Sequence, residues 1–281
     1  MKPPKRIVEI LVLSDIHLGT YGCHAKELYK YLKSIEPKQV ILNGDIIDIW
    51  QFSKRYWPKS HMRVIKQFIA WMSQGIEVVY IPGNHDEMMR RFTGFALGSF
   101  RIENKLSLKL PDGKAWVFHG DVFDVTMKYS KWLAKAGAIG YDSLIQINRL
   151  VNFIANRVFG KGNLSLSKKI KNSVKSAVKF INDFEETATG IAAENGYKYV
   201  ICGHIHQPII KTYNTANGDV IYLNSGDWIE NLTALEYTND SWEIYQYDIN
   251  GEAEEEEVNE IEVRSSKELF NELVTEFKLV V

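Results

Sequence analysis

Two cysteines, Cys23 and Cys202, are all that the 281 residues contain. That excludes a disulfide framework and leads us to expect two reduced, buried thiols in a cytoplasmic protein. No apolar run is long enough to cross a bilayer. The first apolar stretch, residues 7–13, carries Glu9 and runs straight into a polar motif, so it does not read as a secretory leader. No internal repeat is found, and one glutamate run is the sole low-complexity segment. Net charge is nearly absent, with 34 Lys and Arg against 35 Asp and Glu.

That balance conceals a segregation of charge. Residues 125–182 carry eleven Lys and Arg against the single acid Asp142, whereas residues 251–263 carry seven glutamates. The acidic stretch reads as a solvated linker or strand edge. With 45% apolar and 25% charged residues the rest has the composition of one elaborated globular domain.

Residues 7–13, 39–42 and 76–81 are β-branched, apolar and strand-like, and 24–35 and 60–73 between them have helical spacing, giving a parallel β-α-β-α-β start. Residues 106–110 and 114–118 flank Pro111-Asp112-Gly113 as a hairpin. Strands are again expected at 199–202, 209–213, 220–223, 232–237 and 242–247, with Asn217-Gly218 as a two-residue turn. The basic stretch reads as a helical lid, which Gly137, Gly140, Gly160 and Gly162 would divide into short helices. The expected organisation is a domain over 1–250, interrupted by a lid at 125–190, then an acidic linker and a last amphipathic helix within 251–281.

Five polar clusters punctuate this pattern, most of them directly after an apolar run: Ser14-Asp15-Ile16-His17, Asn43-Gly44-Asp45, Gly83-Asn84-His85-Asp86, His119-Gly120-Asp121 and Gly203-His204-Ile205-His206. An open α/β sheet gathers its chemistry at such strand ends. Carboxylate, amide and imidazole donors without thiolate suit manganese, with iron or zinc as alternatives. Two such ions roughly 3.5–4 Å apart would share a carboxylate and acidify a water. In this reading Asp15, His17 and His206 grip the first ion, Asn84, His119 and His204 the second, and Asp45 bridges them. His85 points away from metal to protonate a leaving oxygen, and Asp48 holds its ring in the required tautomer.

Each cluster by itself is weak, because an Asp-x-His pair more often caps or turns the chain than binds metal. Their serial occurrence at strand ends is what carries the assignment. His24 and His61 read as surface histidines, and Asp86, Asp121 and Asp227 as supporting or capping groups. Trp50, Trp57 and Trp71 read as core and rim packing.

The ordered pattern Asp-x-His, Gly-Asp-x-x-Asp, Gly-Asn-His-Asp, His-Gly and Gly-His-x-His resembles the calcineurin-like metallophosphoesterase superfamily. The resemblance implies an α/β fold, a four-layer αββα sandwich with a helical insertion and two divalent ions. Stretches 18–23, 80–87, 119–124 and 225–230 are similar to its UDP-2,3-diacylglucosamine diphosphatase-like branch, over about residues 7–247. In the lipid A enzyme of that branch an arginine follows Gly-Asn, where this chain has His85.

A hydrolase of phosphate ester or diphosphate bonds is therefore expected, acting on a phosphorylated small molecule, with a UDP-sugar lipid as the expected substrate. Lys171 and Lys175, one helical turn apart in the lid, would face the diphosphate. The lid's cations and apolar residues would also suit peripheral contact with an anionic inner membrane. The competing readings are a nucleotide phosphodiesterase or nuclease, and a scaffold without catalysis.

Overall fold

Strands that are apolar on both faces must be covered on both sides, and that demand sets the architecture. The computed structural model describes residues 5–51, 56–123 and 166–249, with side chains in the last stretch from residue 179. The strands β1 (Arg6–Leu13), β2 (Ile35–Asn43) and β3 (Glu77–Ile81) pair in parallel, connected through α1 (Ala25–Ser34) and α2 (Lys59–Ser73). Further along come β4 (Ala96–Leu97), β5 (Phe100–Ile102), β6 (Leu106–Leu110), β7 (Gly113–Val117), α3 (Leu166–Glu194) and β8 (Tyr199–Cys202). The described chain ends with β9 (Ile209–Thr215), β10 (Gly218–Asn224), β11 (Thr233–Thr238) and β12 (Ser241–Gln246).

Two mixed sheets result, one in the order β12-β11-β1-β2-β3-β5-β4 and one in the order β6-β7-β8-β10-β9. Alternation along each strand divides the core into three layers. Leu11, Leu13, Val40, Leu42, Val78 and Tyr80 pack outward against Leu28 and Leu32 of α1 and Phe68 and Trp71 of α2. Their neighbours Val12, Ile41, Val79 and Ile81 face inward and meet Ala115, Val117, Ile201 and Leu223 of the second sheet. The far side of that sheet, with Val200, Cys202 and Tyr222, is covered by Phe184, Ala188 and Ala192, four residues apart on α3. The order helix, sheet, sheet, helix is the expected αββα sandwich.

Three details differ from the sequence reading. The β9–β10 turn is Ala216-Asn217, because Thr215 pairs with Gly218 and the ladder takes up the glycine that was expected in the turn. Phe184 and Ala188 fall within the span read as lid, yet together with Ala192 just beyond it they are buried on the second sheet and belong to the outer helical layer. Residues 166–194 form one 29-residue helix. Residues 124–165, the glycines expected to break the lid, the side chains of Lys171 and Lys175, and the tail from residue 250 lie outside the described residues.

This topology positions the site. β1, β2 and β3 run parallel in the first sheet, β7, β8 and β10 run parallel in the second, and each ends just before a polar cluster. Asn43 ties the two sheets together, its Nδ2 donating to the carbonyl of Phe118 at 3.1 Å.

Candidate metal centre

The loops that leave these strands turn sharply. Among the described residues, eight non-glycine positions have positive φ, and five of them are Asp15, His17, Asp45, His204 and His206. Left-handed backbone is uncommon for residues with a Cβ, although Asp and His adopt it more readily than branched residues. Hydrogen bonds hold it in place: Asp15 N–H donates to the Gly44 carbonyl at 3.0 Å, His17 N–H to the Asp45 carbonyl at 2.9 Å, and His204 N–H to Asp15 Oδ2 at 3.0 Å. Glycine is required at 83, since a Cβ there would collide with Asp45 Oδ1 and the His119 ring.

The side chains gather around two buried carboxylates. Asp15 Oδ1 lies 3.2 Å from His206 Nε2, and Asp45 Oδ2 lies 3.4 Å from His119 Nε2 and 3.9 Å from His17 Nε2. One oxygen of Asp45 thus faces an imidazole from each proposed ion. Ring centroids of His17 and His206 are 5.4 Å apart, and those of His119 and His204 are 5.3 Å apart. Asp15, His17 and His206 offer one compact donor set, and Asp15, Asp45 and His119 another.

The rings are oriented from behind. His119 Nδ1 donates to the Asn43 carbonyl at 2.8 Å, so Nε2 faces Asp45. His206 Nδ1 lies 3.4 Å from Asp227 Oδ2, and Asp227 Oδ1 also accepts the backbone N–H groups of Ile229, Glu230 and Asn231. His85 Nδ1 lies 2.9 Å from Asp48 Oδ2, and His85 N–H donates to Asp45 Oδ1 at 2.7 Å. Asp48 does more than its sequence role required: the same Oδ2 stands 3.5 Å from His17 Nδ1, so one carboxylate braces both histidines.

The buried charges of the site are electrostatically demanding. Burial penalises the charged form of Asp45, yet His119 and His17 outweigh it and hold the carboxyl far below its usual range. Asp15 behaves alike, burial being overcome mainly by His206. Burial opposes the charge on His119, but Asp45, with help from Asp15, pushes its pKa up to about 10. His206 is driven well up by Asp15 and Asp227 against the same penalty. Burying an ion costs several kcal/mol unless it is matched, and here the imidazoles provide the match.

Divalent cations fit this constellation on an independent ground. The buried atoms His17 Nε2, His119 Nε2 and Asn84 Oδ1 have no hydrogen-bond partner. Buried polar atoms are rarely left unpaired in native proteins. Other buried atoms of the described residues, such as Asn43 Oδ1, Arg90 Nε and the Trp228 and Trp242 indole nitrogens, also lack a hydrogen bond, but these three belong to residues assigned to the ions from sequence and supply the nitrogen and oxygen donors that such metals take.

The supporting residues divide between those read from sequence and those missed. Asp86 is buried and accepts from Ile46 N–H, Gly83 N–H and Tyr80 Oη, which fastens the Asp45 loop to the Asn84 loop. Asp121 accepts two contacts of 2.8 Å from Arg90, an arginine that carried no sequence signal. Asn224 was also missed; its Nδ2 donates to the Gly203 carbonyl at 2.8 Å. Its place at the end of an apolar run, like that of Asn43, was the available clue. His61 is a correction: it is 2% exposed, accepts Gly19 N–H at Nδ1 and lies edge-on to Trp57, because α2 turns it inward. Trp71 is core, Trp57 packs against the core, and Trp50 is 65% exposed with its indole donating to the Asn84 carbonyl.

Residues 8–208 match the family model for calcineurin-like phosphoesterase. The chain belongs to the calcineurin-like phosphoesterase family. It is a metal-dependent hydrolase of phosphate ester or diphosphate bonds. Among similar proteins, a UDP-2,3-diacylglucosamine hydrolase of Aliivibrio fischeri (strain MJ11) is 22% identical over 84% of this chain and 98% of its own. One from Blochmanniella pennsylvanica (strain BPEN) is 25% identical over 79% of this chain and 88% of its own. A DNA double-strand break repair protein Mre11 of Methanococcus maripaludis is 24% identical over 91% of this chain and 67% of its own. Among the described residues of this family member, no helix is long and apolar enough to cross a membrane.

Proposed function

We infer that this phosphoesterase hydrolyses the diphosphate of a UDP-sugar lipid of the UDP-2,3-diacylglucosamine kind. The observation that carries the hydrolytic part is that the buried His17 Nε2 and His119 Nε2, neither with a hydrogen bond, both face Asp45 Oδ2, beside a histidine braced by Asp48. The lipid part rests on the relatives of that name, which this chain matches over most of their length.

Asp15, His17, Asp45 and His206 would hold one ion and Asp45, Asn84, His119 and His204 the other, with manganese preferred and iron or zinc as alternatives. Bound there, divalent ions supply Lewis acidity toward the phosphoryl oxygens and an acidified water. The chain's own groups do the rest. Asp48 accepts a hydrogen bond from His85 Nδ1–H and raises the pKa of the ring against burial, so that the imidazolium can give its Nε2 proton to the departing oxygen and be left neutral. The Asn43 carbonyl and Asp227 fix the donor faces of His119 and His206. Asn84 offers a neutral oxygen, which preserves the positive potential that attracts a phosphate anion. The basic stretch within 125–190 would act as lid, with Lys171 and Lys175 toward the diphosphate and its cations toward an anionic inner membrane on the cytoplasmic side.

The Mre11 likeness favours one second reading, a nuclease. Turnover of UDP-diacylglucosamine, a cyclic nucleotide, bis-nitrophenyl phosphate and single-stranded DNA, each with manganese, separates the two. Turnover of the UDP lipid, sensitive to detergent, is the expected outcome. Cleavage of DNA alone, with the steep salt dependence of polyanion binding, would overturn it. His85→Ala is expected to lower turnover by about 10²–10⁴-fold with bound metal retained.

A further inference from the structure

A cavity of about 540 Å³, within the usual range of small-molecule sites, is walled by the loop that follows His17, the starts of α1 and α2, and the turn after Asp227. Two hydrogen bonds couple these walls to the metal centre. Gly19 N–H, two residues beyond His17, donates to His61 Nδ1 at 2.9 Å. Glu230 N–H donates at 2.6 Å to Asp227, the carboxylate behind His206.

The lining selects among ligands. Tyr21 and Tyr56 form a ring pair with centroids 3.7 Å apart, and Tyr21 is 76% exposed, so aromatic faces border the opening. Lys26, Glu27 and Glu230 line the cavity, and Glu27 stands 3.6 Å from His24. An acyl chain placed here would strip water from three charged side chains. Among the described lining residues, a second phosphate would meet two carboxylates against one lysine, with the His24 imidazole already turned to Glu27. An uncharged planar ring that carries hydroxyl groups satisfies both constraints, with the tyrosines for the ring and the carboxylates as acceptors for the hydroxyls.

We propose that this cavity is a nucleoside subsite in which the Tyr21–Tyr56 pair stacks on the base and Glu27 or Glu230 accepts from the ribose. The choice of uridine rests on the function inferred above; the subsite itself rests on the lining. It places the nucleoside half of the substrate against the loop that follows His17.

The test is titration of the metal-free, full-length protein with uridine, followed by saturation-transfer NMR, with inorganic phosphate as the competing anion. Uridine is expected to bind, phosphate not to displace it, and Tyr56→Ala or Tyr21→Ala to weaken it about tenfold, the range of one base-stacking contact. Tyr56→Phe is expected to keep the binding, which separates lost stacking from misfolding. With manganese, the ratio of kcat/KM for a UDP-linked substrate to that for a ring-free glycerol phosphodiester is expected to fall about tenfold in Tyr56→Ala. No uridine binding, or an unchanged ratio in both alanine variants, overturns the subsite while diester turnover leaves the phosphoesterase intact. Uridine binding by a protein that hydrolyses no UDP-linked substrate would instead sink the inferred function and leave the subsite standing.

Discussion

The strands and the loops that leave them are built on opposite terms. Along β1, β2 and β3 the chain is extended, and Val12, Ile41, Val79 and their neighbours are fully buried. Two to four residues past the strand ends, Asp15, His17, Asp45, His204 and His206 sit at φ between 51° and 65°, and two carboxylates are buried. Strained positions of this kind cost of order 1 kcal/mol or more each and persist where the surroundings over-determine them. Here the over-determination comes from two sheets that bring six parallel strand ends to one edge. The apolar layers supply stability, and the loops spend conformational freedom to aim donors at one point.

The largest effect should come from the loops. Asp45→Asn keeps a residue that tolerates positive φ and an oxygen for His85 N–H, but removes the charge between the proposed ions. Activity should fall by at least about 10³-fold, on the order of 4 kcal/mol of transition-state stabilisation, with far-UV circular dichroism unchanged. A denatured variant would show that the loop, and not only the chemistry, needs the charge.

A strand change should do the reverse. Ile41→Ala opens a hole between the sheets and should cost about 2–5 kcal/mol in urea unfolding, while turnover per folded molecule stays close to wild type. A large loss of turnover at full folding would mean that the inter-sheet layer also tunes the metal loops.

His61 supplies a smaller, pH-dependent test, since it belongs to a helix but accepts from a site loop. Burial lowers its pKa to about 4, whereas the unfolded residue titrates near 6.5. Its folded pKa is depressed and the native state prefers the neutral ring, so this contribution is complete above about pH 6.5 and fades as pH falls toward 4. In His61→Gln the slope of stability against pH between 4 and 6.5 should be shallower than in wild type. An identical slope would remove His61 from that account.

The smallest effect concerns strain that serves no chemistry. Asn239 and Asp240 form the β11–β12 turn, both at positive φ, between the paired Thr238 and Ser241. Asp240→Gly creates the favoured Asn-Gly hairpin and should raise stability by about 0.5 kcal/mol with unchanged activity. Destabilisation would point to the Tyr237–Asp240 contact, 3.4 Å long, as the more important term.

Much of the sandwich was legible because alternating apolar runs and helical spacing are local properties. The turn at Ala216-Asn217 was not, since hairpin register depends on which residue the partner strand accepts. The apolar layer between α3 and the second sheet was hidden for a related reason: helical spacing tells which face is apolar, not what covers it. His61 was misread because burial depends on where α2 lies. For Arg90 no local pattern announced Asp121 as its partner, 31 residues away.

The sequence by itself determined the inventory: which donors exist, that they follow strands, and that thiolates are absent. These follow from residue chemistry and from short-range periodicity, which any fold of this chain must respect. Only the tertiary structure decided that Asp48 stands behind two histidines, that His119 turns its Nε2 to Asp45, and that the loop following His17 walls a cavity with two tyrosines. Those facts depend on angles between loops carried by different strands, and the sheets alone set them.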